Sequence, residues 1–210
     1  LTIAAEDTSF DIQFQEKAKF PVTIQSGMLA AEQLAKLKVT FSNLNEAGYV
    51  YEFASIEGIQ LRNGTYTVAV SGLDAWPLQL ALTSNLKVEG AAASKELRFE
   101  PVTNWSFNDR VIANGATVYK GMVFTGTVAN EQAKGHLTAK PGATIQIPVK
   151  PNQKVRIAYY YAADFSIDGG DAISTSSGST SKIETTEYKY TGNEAGFVTL
   201  AVGSGVPTTY

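Results

Sequence analysis

A chain of 210 residues is long enough for one large or two ordinary domains, each able to bury a core. It is 44% hydrophobic and 18% charged, which argues against wholesale disorder, and its net charge of −3 without any Lys/Arg run gives nucleic acid or an anionic membrane no electrostatic footprint. The absence of cysteine excludes disulfides, thiolate nucleophiles and Cys-based metal sites, and no stretch reaches the roughly 18 to 20 apolar residues of a membrane span.

The chain opens on Leu1 rather than Met, as expected of a processed or trimmed form from which any signal peptide or lipid anchor would already be gone. "MLAAEQLAKLK" places Met28, Ala31, Leu34 and Ala35 at three- and four-residue steps, predicting one short helix around residues 28–37. Thereafter the period is two. "YVYEF" puts Tyr49, Tyr51 and Phe53 on one face, and "TYTVAV" does the same with Tyr66, Val68 and Val70. Between them Asn63-Gly64 suits a tight turn with positive φ. Trp76, before Pro77 in "GLDAWPLQL", is either a plug over a sandwich end or a binding residue. "LRFEP" closes an alternating run with Leu97 and Phe99 inward, and a domain boundary is expected near residue 101. The predicted fold class is therefore all-β: two antiparallel β-sandwich domains, 1–101 and 102–210, with one short helix.

In the second part "NWSFND" spaces Trp105 and Phe107 as a core plug, and "ATIQIPV" sets Ile145, Ile147 and Val149 inward. "KPNQK" (150–154) and "TGNEAG" (191–196) read as hairpin loops, and "STSSGSTS" (174–181) as a long mobile loop. In "VRIAYYYAADFSIDGG", Val155, Ile157, Tyr159, Tyr161 and Phe165 share the odd positions and Lys154, Arg156, Tyr160 and Asp164 the even ones. Tyr159 and Tyr161 are thus expected in the core and Tyr160 outside, beside Arg156. A ring next to Arg and Asp is what a sugar-binding face uses, because the C–H face of a sugar stacks on the ring while its hydroxyls bond to charged groups. Asp164, Asp168 and Asp171 put three carboxylates within eight residues, a candidate loop for a structural Ca²⁺, although the spacing matches no EF-hand.

Two resemblances rest on these segments. "LRNGTYTVAV", within residues 35–100, resembles the central strand of prealbumin-like sandwich modules of secreted proteins, including CnaB-type and carboxypeptidase-regulatory modules. "NWSFND", "GATVYKGMVFTG", "GATIQIPVKPNQKVRIAYYY", "YKYTGNEAGFVTLAVG" and the terminal "TTY" resemble the accessory β-sandwich beside pectate lyases and other polysaccharide-handling proteins of gut Bacteroidetes. That family's closing strand, which follows the tyrosine, lies beyond residue 210, so the chain is expected to be truncated. The resemblance implies a bacterial protein, extracellular or anchored at the outer surface, that handles glycans.

Catalysis finds little footing. His136 is the single histidine and no G-x-S-x-G elbow supplies a nucleophile, so His136 reads as a satisfied or exposed surface residue. Glu52, Glu184 and Glu187 are the carboxylates that a glycosidase pair would have to use, though an outward charge on a strand explains each equally well. The favoured expectation is a non-catalytic, exported surface protein with no cofactor beyond that Ca²⁺. It would bind or present polysaccharide through candidate residues Tyr160, Arg156 and Trp76. The rival is a structural or adhesive subunit, pilus- or matrix-like, whose partners are other surface proteins. An undetected glycan-active enzyme is the third.

Overall fold

The computed structural model describes residues 13–160, 163–174, 182–203 and 208–209. β1 (Lys19–Gln25) is followed by a single helical turn, α1 (Ala31–Leu34), and by β2 (Lys38–Asn43) and β3 (Val50–Phe53). β4 (Gln60–Arg62), β5 (Gly64–Ser71), β6 (Leu78–Leu80), β7 (Leu86–Val88), β8 (Ala93–Glu96) and β9 (Phe99–Pro101) complete the stretch up to 101. Beyond it come β10 (Val118–Tyr119), β11 (Met122–Thr125), β12 (Val128–Glu131), a 3-10 turn (Gln132–Lys134), β13 (His136–Ala139) and β14 (Thr144–Val149). β15 (Lys154–Tyr160), β16 (Asp164–Ile167), β17 (Ala172–Ser174), β18 (Ile183–Lys189), β19 (Gly196–Val202) and β20 (Thr208–Thr209) end the order. The fold is all-β. No described helix is long and apolar enough to cross a membrane.

In the first half, sheet β3-β2-β5-β7 faces sheet β4-β1-β8, with β6 and β9 paired to one side. Alternation does the sorting. In β2, Val39 and Phe41 point inward and are fully buried, and Tyr66 of β5 joins them edge-on to Phe41 at 6.3 Å. Asn43, the next inward position, is buried but satisfied: its amide donates to the Tyr66 hydroxyl at 3.1 Å and its carbonyl accepts from the Asn45 N–H at 2.8 Å. Pairing is antiparallel except between β1 and β8, which run parallel from Val22↔Ala93 to Gln25↔Glu96. Helix is shorter than its pattern: Met28 is 78% exposed, α1 buries no residue, and the buried Leu37 already belongs to the approach to β2.

In the second half, sheet β10-β11-β14-β19-β16-β17 lies against strands paired as β12-β13-β20 and β15-β18. The buried apolar residues form two clusters, one within residues 22–99 and one within 107–202, and no described strand pairs between the halves. Contact across the boundary runs through the loop after β5. Asp74 O accepts from Gly121 N–H and Pro77 O from Val102 N–H, each at 2.8 Å, while the Asp74 carboxylate is ion-paired with Arg110.

Three turns differ from expectation in what they join. The Asn63-Gly64 step carries the chain from β4, which pairs with β1, to β5, which pairs with β2 and β7. Gly64 is needed there because a Cβ would stand 2.5 Å from the Asn43 side chain. Likewise 150–154 links β14 to β15 and 191–196 links β18 to β19, each pair lying in different sheets. Turn chemistry is local, but strand partnership is not. The proposed loop 174–181, apart from Ser174 at the end of β17, lies outside the described residues, as does Tyr161.

Candidate functional site

β15 follows its sequence pattern residue by residue. Val155, Ile157 and Tyr159 are buried and Lys154, Arg156 and Ala158 exposed, while Tyr160 is half-buried on the outer face. β18 pairs along one edge of β15, setting Glu187 opposite Arg156, Thr185 opposite Ala158 and Ile183 opposite Tyr160. Along the other edge lies β20, which also pairs with β13 through Thr138↔Thr209 and Ala139↔Thr208. The described residues line a cleft of about 640 Å³, bounded by Lys134, Gly135, His136 and Leu137 on one side and by 153–160 on the other. Trp105 and Phe107 close one end, and Ile145, Ile147 and Leu200 form its apolar depth. The volume suits a ligand site, for which roughly 300–1,000 Å³ is usual.

At the mouth the rings of His136 and Tyr160 meet edge-to-face, 5.1 Å between centroids. This contact is why Tyr160 is half-buried rather than exposed. His136 itself departs from expectation, since its side chain is only 10% exposed. Nε2 stands 3.7 Å from the Glu131 carboxylate, and Nδ1 is buried with no partner among the described residues. The Lys134 ammonium, bonded to Glu131 at 2.6 Å, holds that carboxyl below the usual range. Aromatic edges, an unsatisfied ring nitrogen and the cations Lys134 and Arg156 thus surround one opening.

The floor is braced from behind. Trp105 Nε1 donates to Lys120 O at 3.0 Å, and the Lys120 ammonium is 2.6 Å from Asp109, which accepts from the buried Tyr119 hydroxyl at 2.5 Å. Burial alone would raise the Asp109 pKa, but the bonds from Lys120 and Tyr119 outweigh it and the carboxyl sits below its ordinary 3.8. A depressed folded pKa contributes stability that is complete above the unfolded value and lost as pH falls through the folded one. Asp109→Asn should therefore destabilise the protein near neutral pH, and urea melts should show the gap to the parent narrowing below about pH 3.8. A gap that holds constant down to pH 2.5 would assign the cost to shape rather than charge.

The other candidates do not converge on this opening. Trp76 is half-buried against the first cluster and does not line the cleft. Asp164, Asp168 and Asp171 belong to the β16–β17 hairpin, where Asp168 has φ 47° and accepts the Thr199 N–H at 2.7 Å. Asp168 also bonds the Tyr188 phenol, raising its pKa, and Asp171 is exposed. Among the described residues no three His, Asp or Glu side chains are grouped to hold a metal ion. Glu52, Glu184 and Glu187 each have their own lysine, Lys38, Lys182 and Lys154 in turn. Glu184 and Glu187 are three apart on β18 and so point to opposite faces.

No family model, no curated protein and no solved structure matches the chain.

Proposed function

We propose that the chain is a non-catalytic, exported surface protein of two sandwich modules that binds polysaccharide at the mouth of the second module's cleft. The observation that carries this reading is the Tyr160–His136 pair, with Arg156 and Lys134 at the same opening: a half-exposed tyrosine ring, backed by the buried His136 and set beside charged donors, matches the two faces of a sugar. The isolation of each candidate carboxylate beside its own lysine supports the non-catalytic part. Surface location rests on the resemblance of residues 102–210 to accessory modules of polysaccharide-handling proteins.

The test is a screen of soluble polysaccharides against the parent and Tyr160→Ala, followed by calorimetry on any binder. The variant should bind roughly tenfold more weakly, a loss of about 1.4 kcal/mol, with stability changed by no more than about 1 kcal/mol. Undiminished binding would remove Tyr160 from the site.

A structural or adhesive role is the second reading, and one observation favours it. Among the described residues β20 pairs with two residues of β13, Thr138 and Ala139, and β15 pairs with β18 alone, and an open strand edge can accept an extended segment of another protein. A chain that binds no glycan in the screen but captures surface proteins through this edge would decide for it.

A further inference from the structure

A second opening lies in the first half, against β8. This strand alternates inward through Ala93 and Lys95, and the same face continues with Leu97 and Phe99. Lys95 breaks that apolar run. It pairs with Ile24 of β1, itself 6% exposed, and is only 9% exposed. Its stem lies along the core and its ammonium reaches the loop after β6, donating to Ser84 O at 2.5 Å and Ser84 Oγ at 3.1 Å. An ammonium has three N–H donors, and among the described residues the third has no partner. Nor does any described Asp or Glu come within ion-pair distance of it, although two line the same opening: Glu96 is engaged by Arg98 at 2.9 Å, and Glu89 is exposed.

Burying a charge without a counter-charge costs several kcal/mol, and a residue that breaks its strand's pattern is expected at functional or strained sites. The opening it lines has a volume of about 760 Å³ and carries short polar side chains, Thr83, Ser84, Asn85 and Ser94. Among the described residues β8 also ends its sheet, and alternate backbone N–H groups along its outer edge have no described strand partner. A cation, a hydroxyl with a proton to donate and edge N–H groups are a donor set that neither described carboxylate at the opening, Glu89 or Glu96, is bonded to.

We propose that this opening binds an oxyanion, the carboxylate or phosphate group of a ligand, held by Lys95 Nζ and the Ser84 hydroxyl. The site is independent of the Tyr160 opening and does not rest on the glycan reading. Calorimetry and thermal melts with inorganic phosphate, glucuronate and neutral glucose, at ionic strength fixed with chloride, test it. At least one of the two anions should bind saturably and raise the melting temperature, and glucose should do neither. Phosphate alone would identify a phosphoryl ligand and glucuronate alone an acidic sugar. Lys95→Met should abolish the effect or weaken binding at least tenfold, and Lys95→Arg should retain it. Ser84→Ala keeps the lysine and should weaken binding several-fold, so it decides the matter if Lys95→Met does not fold. The proposal is overturned if neither anion binds saturably, or if a folded Lys95→Met or Ser84→Ala protein binds it unchanged.

Discussion

Replacing Tyr159 by alanine is expected to cost about 3 to 5 kcal/mol, the usual penalty for truncating a buried aromatic. Tyr159 is 6% exposed, and its ring meets Phe165 of β16 edge-to-face at 5.2 Å, joining the β15–β18 pair to the opposite sheet. Burial also raises its phenol pKa, as expected for a group whose ionised form is cut off from water. Val155 and Ile157 lie on the same face, so the strand cannot turn over to cover the loss. A slip of one residue would expose both and bury Arg156. For a module of this size the melting temperature should fall by more than about 10 °C. Tyr160→Ala, one position away, is the internal control and should change stability little. Equal melting temperatures for the two variants would show that the inward and outward faces of β15 are wrongly assigned.

The facing of β15 was legible because it is a local property. Side-chain direction alternates whatever strand lies alongside, and each inward set in β2, β14 and β15 can be read from five or six residues. Partnership is not local. Nothing in "KPNQK" or "TGNEAG" tells whether the flanking strands pair with each other or cross between sheets, since the same turn residues serve both. The parallel pairing of β1 with β8 joins residues about 70 apart in sequence. His136 escaped for the same reason: it meets Tyr160 across strands β13 and β15, which lie about twenty residues apart in sequence and do not pair with each other. Lys95 is a different case. Extending the inward positions of Leu97 and Phe99 back by one step lands on it, so the buried lysine was readable from the alternation alone, though its lack of a counter-charge was not.

A similar separation of local from distant causes makes Gly72→Ala the second large effect. Gly72 follows the last residue of β5 with φ 88°, a conformation that costs an L-residue roughly 1 to 2 kcal/mol. That much could be expected of any turn glycine. The larger part comes from across the sheet: a Cβ at this position would collide with the carbonyl oxygen of Lys36, where the chain enters β2. Neither side has a flexible side chain to move away. Relief would require shifting the backbone next to Leu37, which is fully buried in the core. Forced overpacking of this kind costs roughly 1 to 3 kcal/mol, for a total of about 2 to 5 kcal/mol. Gly58 provides the comparison, with φ 69° and nothing within 4 Å of a built Cβ, so Gly58→Ala should show the conformational cost alone. Urea melts of the two variants should differ by the price of the Lys36 contact. If Gly72→Ala loses no more than Gly58→Ala, the Lys36 carbonyl does not stand in the path of a side chain at position 72.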